Sequence, residues 1–326
     1  MIRRPGFESS LSSYDKIPVD RFIVATEVAG RRRRYWSDNE RVLAPLLLSP
    51  AVIYIVALVA FPFVLAIMFA FSDVTTGNPD LEFVGLRTFG RILDDPVFLR
   101  SLWNTFIFAL VANALVVVLA KALAMVLIAD FKGKWLVRFL VLLPWTTPIS
   151  LATITWLWTL DSIFSPIDWI LRNLGLIETN VYWLGRPVLA MGSVIAVHTW
   201  RIVPLAAVIM MAGLIAIPTE IKDAAEVDGA GFWRKLFQVT IPLMAPIIAV
   251  AVLFGFVLTV TDMSVVYVLT RGGPTHSTQV LATWAFFKGI EGGALAQGAA
   301  IALFLFPVLV AVAALILRMA RRWELH

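Results

Sequence analysis

The sequence has no cysteine and only three histidines. The first absence excludes disulfides, thiolate metal sites and a cysteine nucleophile. The histidines, His198, His276 and His326, are scattered without a ligand spacing such as HExxH, so no metal site is expected. His198 lies in a long apolar run and reads as a packed, hydrogen-bonded core residue. No GxxxxGK[ST] loop is present; the nearest sequence, GKW at 133–135, lacks both the loop and the hydroxyl. Any nucleotide hydrolysis therefore belongs to another chain, and this one is not expected to be an enzyme.

Charge is also scarce. Only 15% of the 326 residues are charged and 60% are hydrophobic, with a mean hydropathy of +0.86. Soluble domains keep an apolar share of about 45–50%, so the chain is expected to be an integral membrane protein. A bilayer core about 30 Å thick needs roughly 20 apolar residues in a helix. Six runs qualify, at about 46–72, 101–129, 135–160, 188–217, 243–269 and 296–320. Helix is the only fitting state, because unpaired backbone groups are costly in lipid and the alternation of a barrel is missing. The expected fold is all-α, a polytopic membrane bundle of six transmembrane helices over 46–320. An arm precedes it at 1–45 and a tail follows at 321–326.

Lys and Arg set the orientation. With both termini on one side, that side holds eighteen of them, in the loops and termini and at the span ends, and the other side seven. Both termini are therefore expected in the cytoplasm. The arm carries RRRR at 31–34, but no short apolar core with a small-residue cleavage site, so it does not read as a signal peptide. It reads instead as a cytoplasmic arm meeting anionic lipid heads, with a protein contact as the alternative. The net charge of +5 comes from this arm and the positive-inside bias. Without a basic face interleaved with aromatics it does not indicate nucleic acid.

Three charges fall well inside the expected spans, away from their ends: Lys121, Arg201 and Asp262. Each costs about 2.5–3.5 kcal/mol near a helix centre on insertion scales, so each must face a partner, water or the bundle interior. Two readings stand for Arg201 and Asp262, pairing within the bundle or lining a polar passage; Lys121 reads as snorkelling or paired. Prolines recur in the spans at Pro62, Pro144, Pro148, Pro204 and Pro307, where each frees a carbonyl and can kink its helix. Of the outer loops, 161–187 contains the amphipathic IDWILRNLGL, and RGGPTHST at 271–278 forces a tight bend.

Between the fourth and fifth runs stands DAAEVDGAGFWRKLFQVTIP, residues 223–242. DAAEVD favours a short helix, Gly229 and Gly231 break it, and FWRKLFQV starts another. In the second piece Phe232 and Leu236 lie four apart, as do Trp233 and Phe237, so winding gathers an aromatic face. Two short helices would present an apolar knob, to the lipid interface or to a protein.

This stretch resembles the EAA loop of the permease subunits of binding-protein-dependent ABC importers, whose pattern is E-A-A, three residues, Gly, nine residues, then Ile-x-Leu-Pro. The matching positions are Asp223, Ala224, Ala225, Gly229, Val239, Ile241 and Pro242, with the spacing intact. AGLIAIP at 212–218 is similar to the segment that precedes that loop. VYVLTRGGPTHSTQVLATWAFF at 266–287 resembles the GGP signature of the maltose-type carbohydrate branch, and SPAVIYIVALVAFPFVLAIMFAFSD and LLPWTTPISLATITWLW also fit. One departure is SPID at 165–168, where many relatives carry Gly and Asn, which bears on the conformation of that outer loop.

The resemblance implies a type I importer permease of a bacterial inner membrane, carrying a sugar by alternating access. It implies a second homologous permease subunit, usually a different chain, two ATPase subunits that bind ATP and Mg, and an extracytoplasmic binding protein. Asp223, Ala224, Ala225 and Gly229 would shape the contact with the ATPase, and Phe232, Trp233 and Phe237 would anchor it. Maltose-type relatives line their sugar cavity from span five, at positions matching Gly255, Leu258, Thr259 and Asp262; Arg201 is either a further cavity residue or the partner of Asp262. An ion-coupled secondary transporter or a non-transporting docking protein is the alternative. Inverted repeats, which would favour the former, are not found.

Overall fold

The computed structural model describes residues 40–324, with side chains described from 43 to 320. The arginine run at 31–34 and His326 lie outside the described residues. The chain divides into two units between Pro62 and Phe63, inside the first apolar helix.

Among the described residues, five helices are long and apolar enough to cross a membrane. The first, α1 (Leu43–Ala70), contains a π-bulge at Val56–Ala60, and its large apolar side chains between Leu46 and Phe61 are exposed. After α2 (Arg87–Leu93) comes α3 (Pro96–Ile128). Asp95 caps α3 by accepting from Val97 N at 2.9 Å, and Pro96 occupies the first turn, where its missing N–H costs nothing. At the other end Arg138 donates to the Leu127 carbonyl at 2.7 Å, placing a cation on the negative end of the helix dipole.

The third expected span is not one straight helix. It is a pair, α4 (Lys134–Thr146) and α5 (Ile149–Thr159), bent by 95° at the break. Pro148 pushes Thr147 out of the α region, to φ −72° and ψ 136°, while Pro144 has already removed one ladder donor. The Thr147 hydroxyl donates to the Leu143 carbonyl at 2.6 Å, which also accepts from Thr147 N at 2.9 Å and closes the end of α4. The bent pair counts as a sixth span when its halves are taken together.

Outside the bend, α6 (Pro166–Asn173) resolves the SPID departure. Ser165 caps the helix by accepting from Asp168 N at 3.2 Å. Asp168, fully buried, accepts from Val181 N at 2.9 Å and Trp183 Nε1 at 2.8 Å, so the loop is folded back on its own carboxylate. The fourth span is α7 (Pro187–Ala216), followed by α8 (Thr219–Val227). The fifth is α9 (Phe232–Thr261), and α10 (Ser264–Leu269), α11 (Leu281–Phe286) and α12 (Leu295–Glu324) complete the chain. Among the described residues there is no strand, only an isolated bridge between Ser72 and Phe83.

The helices meet through small residues. On α3, Ala112, Val116, Ala120 and Ala124 recur every four positions and are buried; against this stripe pack Ile202, Ala206, Met210 and Leu214 of α7, with Met244 and Ala251 of α9. Lipid is as apolar as these side chains, so close backbone approach and dispersion hold the contact rather than expulsion of water. The segment after α10 is more than a bend. Ser277 to Leu281 are buried, Asn104 of α3 donates to the Gln279 carbonyl at 3.0 Å, and Thr105 accepts from Leu281 N at 2.9 Å. The RGGPTHST turn is thus a plug seated on α3.

Candidate functional site: an exposed loop and a buried polar cluster

The loop at 218–242 begins as α8 and stops in a Schellman motif. Gly229 sits at φ +69°, its N–H reaches the Glu226 carbonyl at 3.0 Å, and Ala230 N–H reaches the Ala225 carbonyl at 2.9 Å. The left-handed position explains the glycine. A Cβ there would meet nothing within 4 Å, so this side of the turn is open. Asp223 and Ala224 are exposed and Ala225 is half-buried.

The second half of the loop departs from the expectation of a separate short helix. FWRKLFQV winds directly into the fifth span, so the aromatic residues form the first turns of α9. A π-bulge at Lys235–Thr240 marks the join. Pro242 cannot donate to the Gln238 carbonyl, and the ladder widens just before it, as it also does before Pro62 in α1. Phe232 is 55% exposed, Trp233 68% and Phe237 60%. Trp233 packs edge-on to Phe232 at 5.2 Å and stacks on Phe237 at 6.0 Å, which makes a rigid aromatic ledge. Lys235 ties the two helices by donating to Glu226 at 2.6 Å, and this bond holds the exposed Glu226 carboxyl below its ordinary range.

Inside the bundle lies a second arrangement. Asp262 stands just past the last residue of α9, in extended backbone, with its side chain 6% exposed. Its Oδ1 accepts from Ser264 N at 2.7 Å, and its Oδ2 lies 3.1 Å from His198 Nδ1 and 3.2 Å from Arg201 Nη1. The other ring nitrogen of His198 is 2.9 Å from Thr259 Oγ1. Two protonation patterns satisfy this chain. A neutral ring donates from Nδ1 to Asp262 and accepts from Thr259. A charged ring donates at both nitrogens, and Thr259 then donates to the Gly255 carbonyl, 2.7 Å away. Arg201, 20% exposed, also lies over the Trp145 ring at 5.4 Å.

The structure therefore brings Gly255, Thr259, Asp262 and Arg201 together, with Leu258 half-buried beside them. Asn113 of α3, which sequence reasoning passed over, belongs to the same place. It donates to the Ala109 carbonyl at 2.7 Å, and its buried Oδ1 has no protein partner. Gly255 lets that amide approach, because a Cβ there would force the oxygen to shift. An amide inside an otherwise apolar run was the available signal. Thr199 Oγ1 is likewise buried without a protein partner, at the edge of a cavity of about 630 Å³ between α3, α4 and α7. Among the described residues no group of three or more potential ligands for a metal ion is found.

Comparison with known proteins places this architecture. Residues 122–323 match the family described as binding-protein-dependent transport system inner membrane component. The sulfoquinovosyl glycerol transport system permease protein SmoG of Agrobacterium fabrum is 30% identical over 88% of this chain and 93% of its own. The trehalose/maltose transport system permease protein MalF of Thermococcus litoralis is 28% identical over 87% of this chain and 95% of its own. Among solved structures, a chain of a bacterial ABC transporter involved in the import of alginate superposes with a TM-score of 0.75 at 20% identity, covering 88% of this chain and 97% of that one. A second structure of the alginate transporter, in complex with an alginate pentasaccharide-bound periplasmic protein, gives 0.73 at 21% identity. With the type I permease bundle, the loop and the match over most of the chain in hand, the protein belongs to the family of binding-protein-dependent ABC importer permeases.

Proposed function

We propose that the chain is one of two homologous permease subunits of a bacterial inner-membrane importer that takes a sugar or sugar-like solute from an extracytoplasmic binding protein and passes it to the cytoplasm by alternating access. Two ATPase subunits, which bind ATP and Mg, supply the free energy, and the second permease is a different chain. Both termini lie in the cytoplasm. The sugar class rests on relatives named for sulfoquinovosyl glycerol and for trehalose/maltose.

The observation that carries the reading is the aromatic ledge of Phe232, Trp233 and Phe237, exposed beside a glycine turn within the family match. Large aromatics that fill a partner's pocket dominate interface energetics. Asp223, Ala224, Ala225 and Gly229 shape the surface that enters the ATPase groove. Because the ledge is continuous with α9, any tilt imposed on it reaches Gly255 and Thr259 along one helix, and Asp262 just past its end. Closure on ATP shifts the bundle only insofar as ATP favours one of its two arrangements. In this reading the sugar passes over Gly255, Leu258, Thr259, Asp262 and Arg201. Asp262 is already committed to Ser264, His198 and Arg201, so it holds Arg201 in place, while the unpaired Asn113 Oδ1 remains to accept a sugar hydroxyl.

Reconstitution tests the proposal. The complex in proteoliposomes is expected to take up sugar only with both ATP inside and the binding protein outside. Uptake driven by an ion gradient without ATP would sink it.

A further inference from the structure

Beneath α8, a cavity of about 200 Å³ is bounded by α3, the end of α7, α8 and the start of α9. At roughly 30 Å³ per water, it has room for several waters or one tetrahedral oxyanion. Three ammonium groups line it: Lys121 from within α3, Lys222 from α8 and Lys235 from α9. Among the described residues Glu226 is the one carboxylate on its wall, and it is already bonded to Lys235 at 2.6 Å. Lys121 Nζ has a thioether for its partner, Met244 Sδ at 2.9 Å, and Lys222 Nζ reaches the Leu214 carbonyl at 3.2 Å. Among the described residues, neither Lys121 nor Lys222 forms an ion pair.

A lysine inside a span is expensive unless something negative answers it. A thioether is a weak acceptor that carries no charge. The wall leaves two uncompensated positive charges and, at Thr240, a hydroxyl. Its mouth is open, since the Lys235 side chain is 31% exposed and that of Glu226 63%. Lysines serve as point-charge binders of phosphate, and basic pockets between helices on the cytoplasmic side take phosphorylated headgroups.

We propose that this cavity binds a phosphate-class oxyanion, either the headgroup of an anionic phospholipid or inorganic phosphate, which bridges Lys121 of the bundle to Lys222 and Lys235 of the loop. Such a bridge ties span α3 to the loop that leads into α9. The site stands on its own geometry and does not depend on what the chain transports.

The full complex is placed in nanodiscs of phosphatidylcholine, with and without added inorganic phosphate, and in nanodiscs containing phosphatidylglycerol without free phosphate. The reactivity of Lys121 and Lys222 towards an amine-directed label is read by mass spectrometry, and retained lipid by native mass spectrometry. At least a fivefold drop in labelling is expected in one anionic arm. Protection by phosphate alone identifies a free anion, protection by phosphatidylglycerol alone a headgroup, and protection in both the shared chemistry. Lys121→Met and Lys222→Met are each expected to weaken retention or protection at least tenfold, and Lys121→Arg to restore it. If Lys121→Met does not accumulate, Lys222→Met in the half-exposed loop gives the same readout. Equal labelling in all arms, or retention unchanged in Lys222→Met, overturns the proposal. None of these readouts involves sugar uptake or ATP, so their failure is separate from failure of the transport reading.

Discussion

The two arrangements on α9 face opposite physical demands. At its start, three large aromatics stand more than half exposed, with hydrogen bonds that serve only to hold the loop's shape. At its end, a carboxylate, an imidazole and a hydroxyl are almost wholly buried, and their polar atoms answer one another. An exposed apolar ledge gains its free energy from a partner that covers it. A buried charge must be satisfied within its own chain. The first therefore tolerates changes in the isolated subunit and fails in the assembly, whereas the second fails already in the isolated subunit.

The sharpest break in that contrast is Asp262→Ala. It strands Arg201 and His198 in the bundle, and removing one partner of a buried pair costs about 3–5 kcal/mol. The lower end applies because Arg201 retains one-fifth of its exposure. Denaturant titration of the purified chain in detergent should show this loss, and Asp262→Asn, which keeps an acceptor, should lose less. Unchanged stability in Asp262→Ala would mean that the cluster is not structural.

Gly229→Asp tests the other end. Asp is among the few side chains that enter the left-handed region, and space at this position is open, so the chain should insert and fold. The new carboxylate points outward from the turn, onto the proposed docking face. Sugar uptake is expected to fall about 100-fold, or roughly 2.8 kcal/mol, with wild-type abundance in the membrane. Gly229→Asn, of the same shape without the charge, should lose less. Normal uptake in the Asp variant removes the assigned role of the loop.

Trp233→Ala deletes the centre of the ledge while leaving the helix. A loss of about 2 kcal/mol, the threshold of an interface anchor, corresponds to an affinity for the ATPase weakened about 30-fold. Co-purification and equilibrium binding measure it. The stability of the permease alone should change little, since among the described aromatics Trp233 packs against the exposed Phe232 and Phe237.

The sequence was most informative where the cause is local. Runs of apolar residues are dictated by bilayer thickness, and four of the six stretches, the first, second, fourth and sixth, lie on continuous helices with bounds shifted by a few residues; the fifth, expected at 243–269, starts early at Phe232 and ends at Thr261, with α10 taking up its last residues. The glycine at 229 is legible because only one turn geometry needs it. The break in the third span was half legible: Pro144 and Pro148 were visible, but a kink and a 95° reversal differ only in how neighbouring helices pack. What was not legible depends on residues distant in sequence. His198 meets Asp262 from 64 positions away, and Asn113 reaches Thr259 from 146. The burial of Ser277 to Leu281 against Asn104 and Thr105 is likewise tertiary, so the turn signal RGGP spoke only for the bend. The fusion of FWRKLFQV with the fifth span escaped because Pro242 reads as a helix breaker, while the structure absorbs it in a π-bulge.

The smallest effect separates shape from docking within the loop. Lys235 holds the Glu226 carboxyl below its ordinary pKa, chiefly by hydrogen bonding and then by its charge. A depressed carboxyl stabilises the folded loop above the pKa of the unfolded chain, and that stabilisation is lost as pH falls through the lower, folded value. Hydrogen exchange at Gly229 and Ala230, whose amides close the turn, should therefore keep constant protection from neutral pH down to the ordinary carboxylate range. Protection should drop below that range, after correction for the intrinsic rate. Glu226→Gln should show the reduced protection at every pH, while its affinity for the ATPase at neutral pH should stay well above that of Trp233→Ala. Glu226 is exposed and Lys235 partly so, and solvent screens the pair, so the shift is expected to be slight. If Glu226→Gln instead matched Trp233→Ala in binding, the ion pair would belong to the docking surface, and the division between a loop held by its own bonds and a ledge held by its partner would fail.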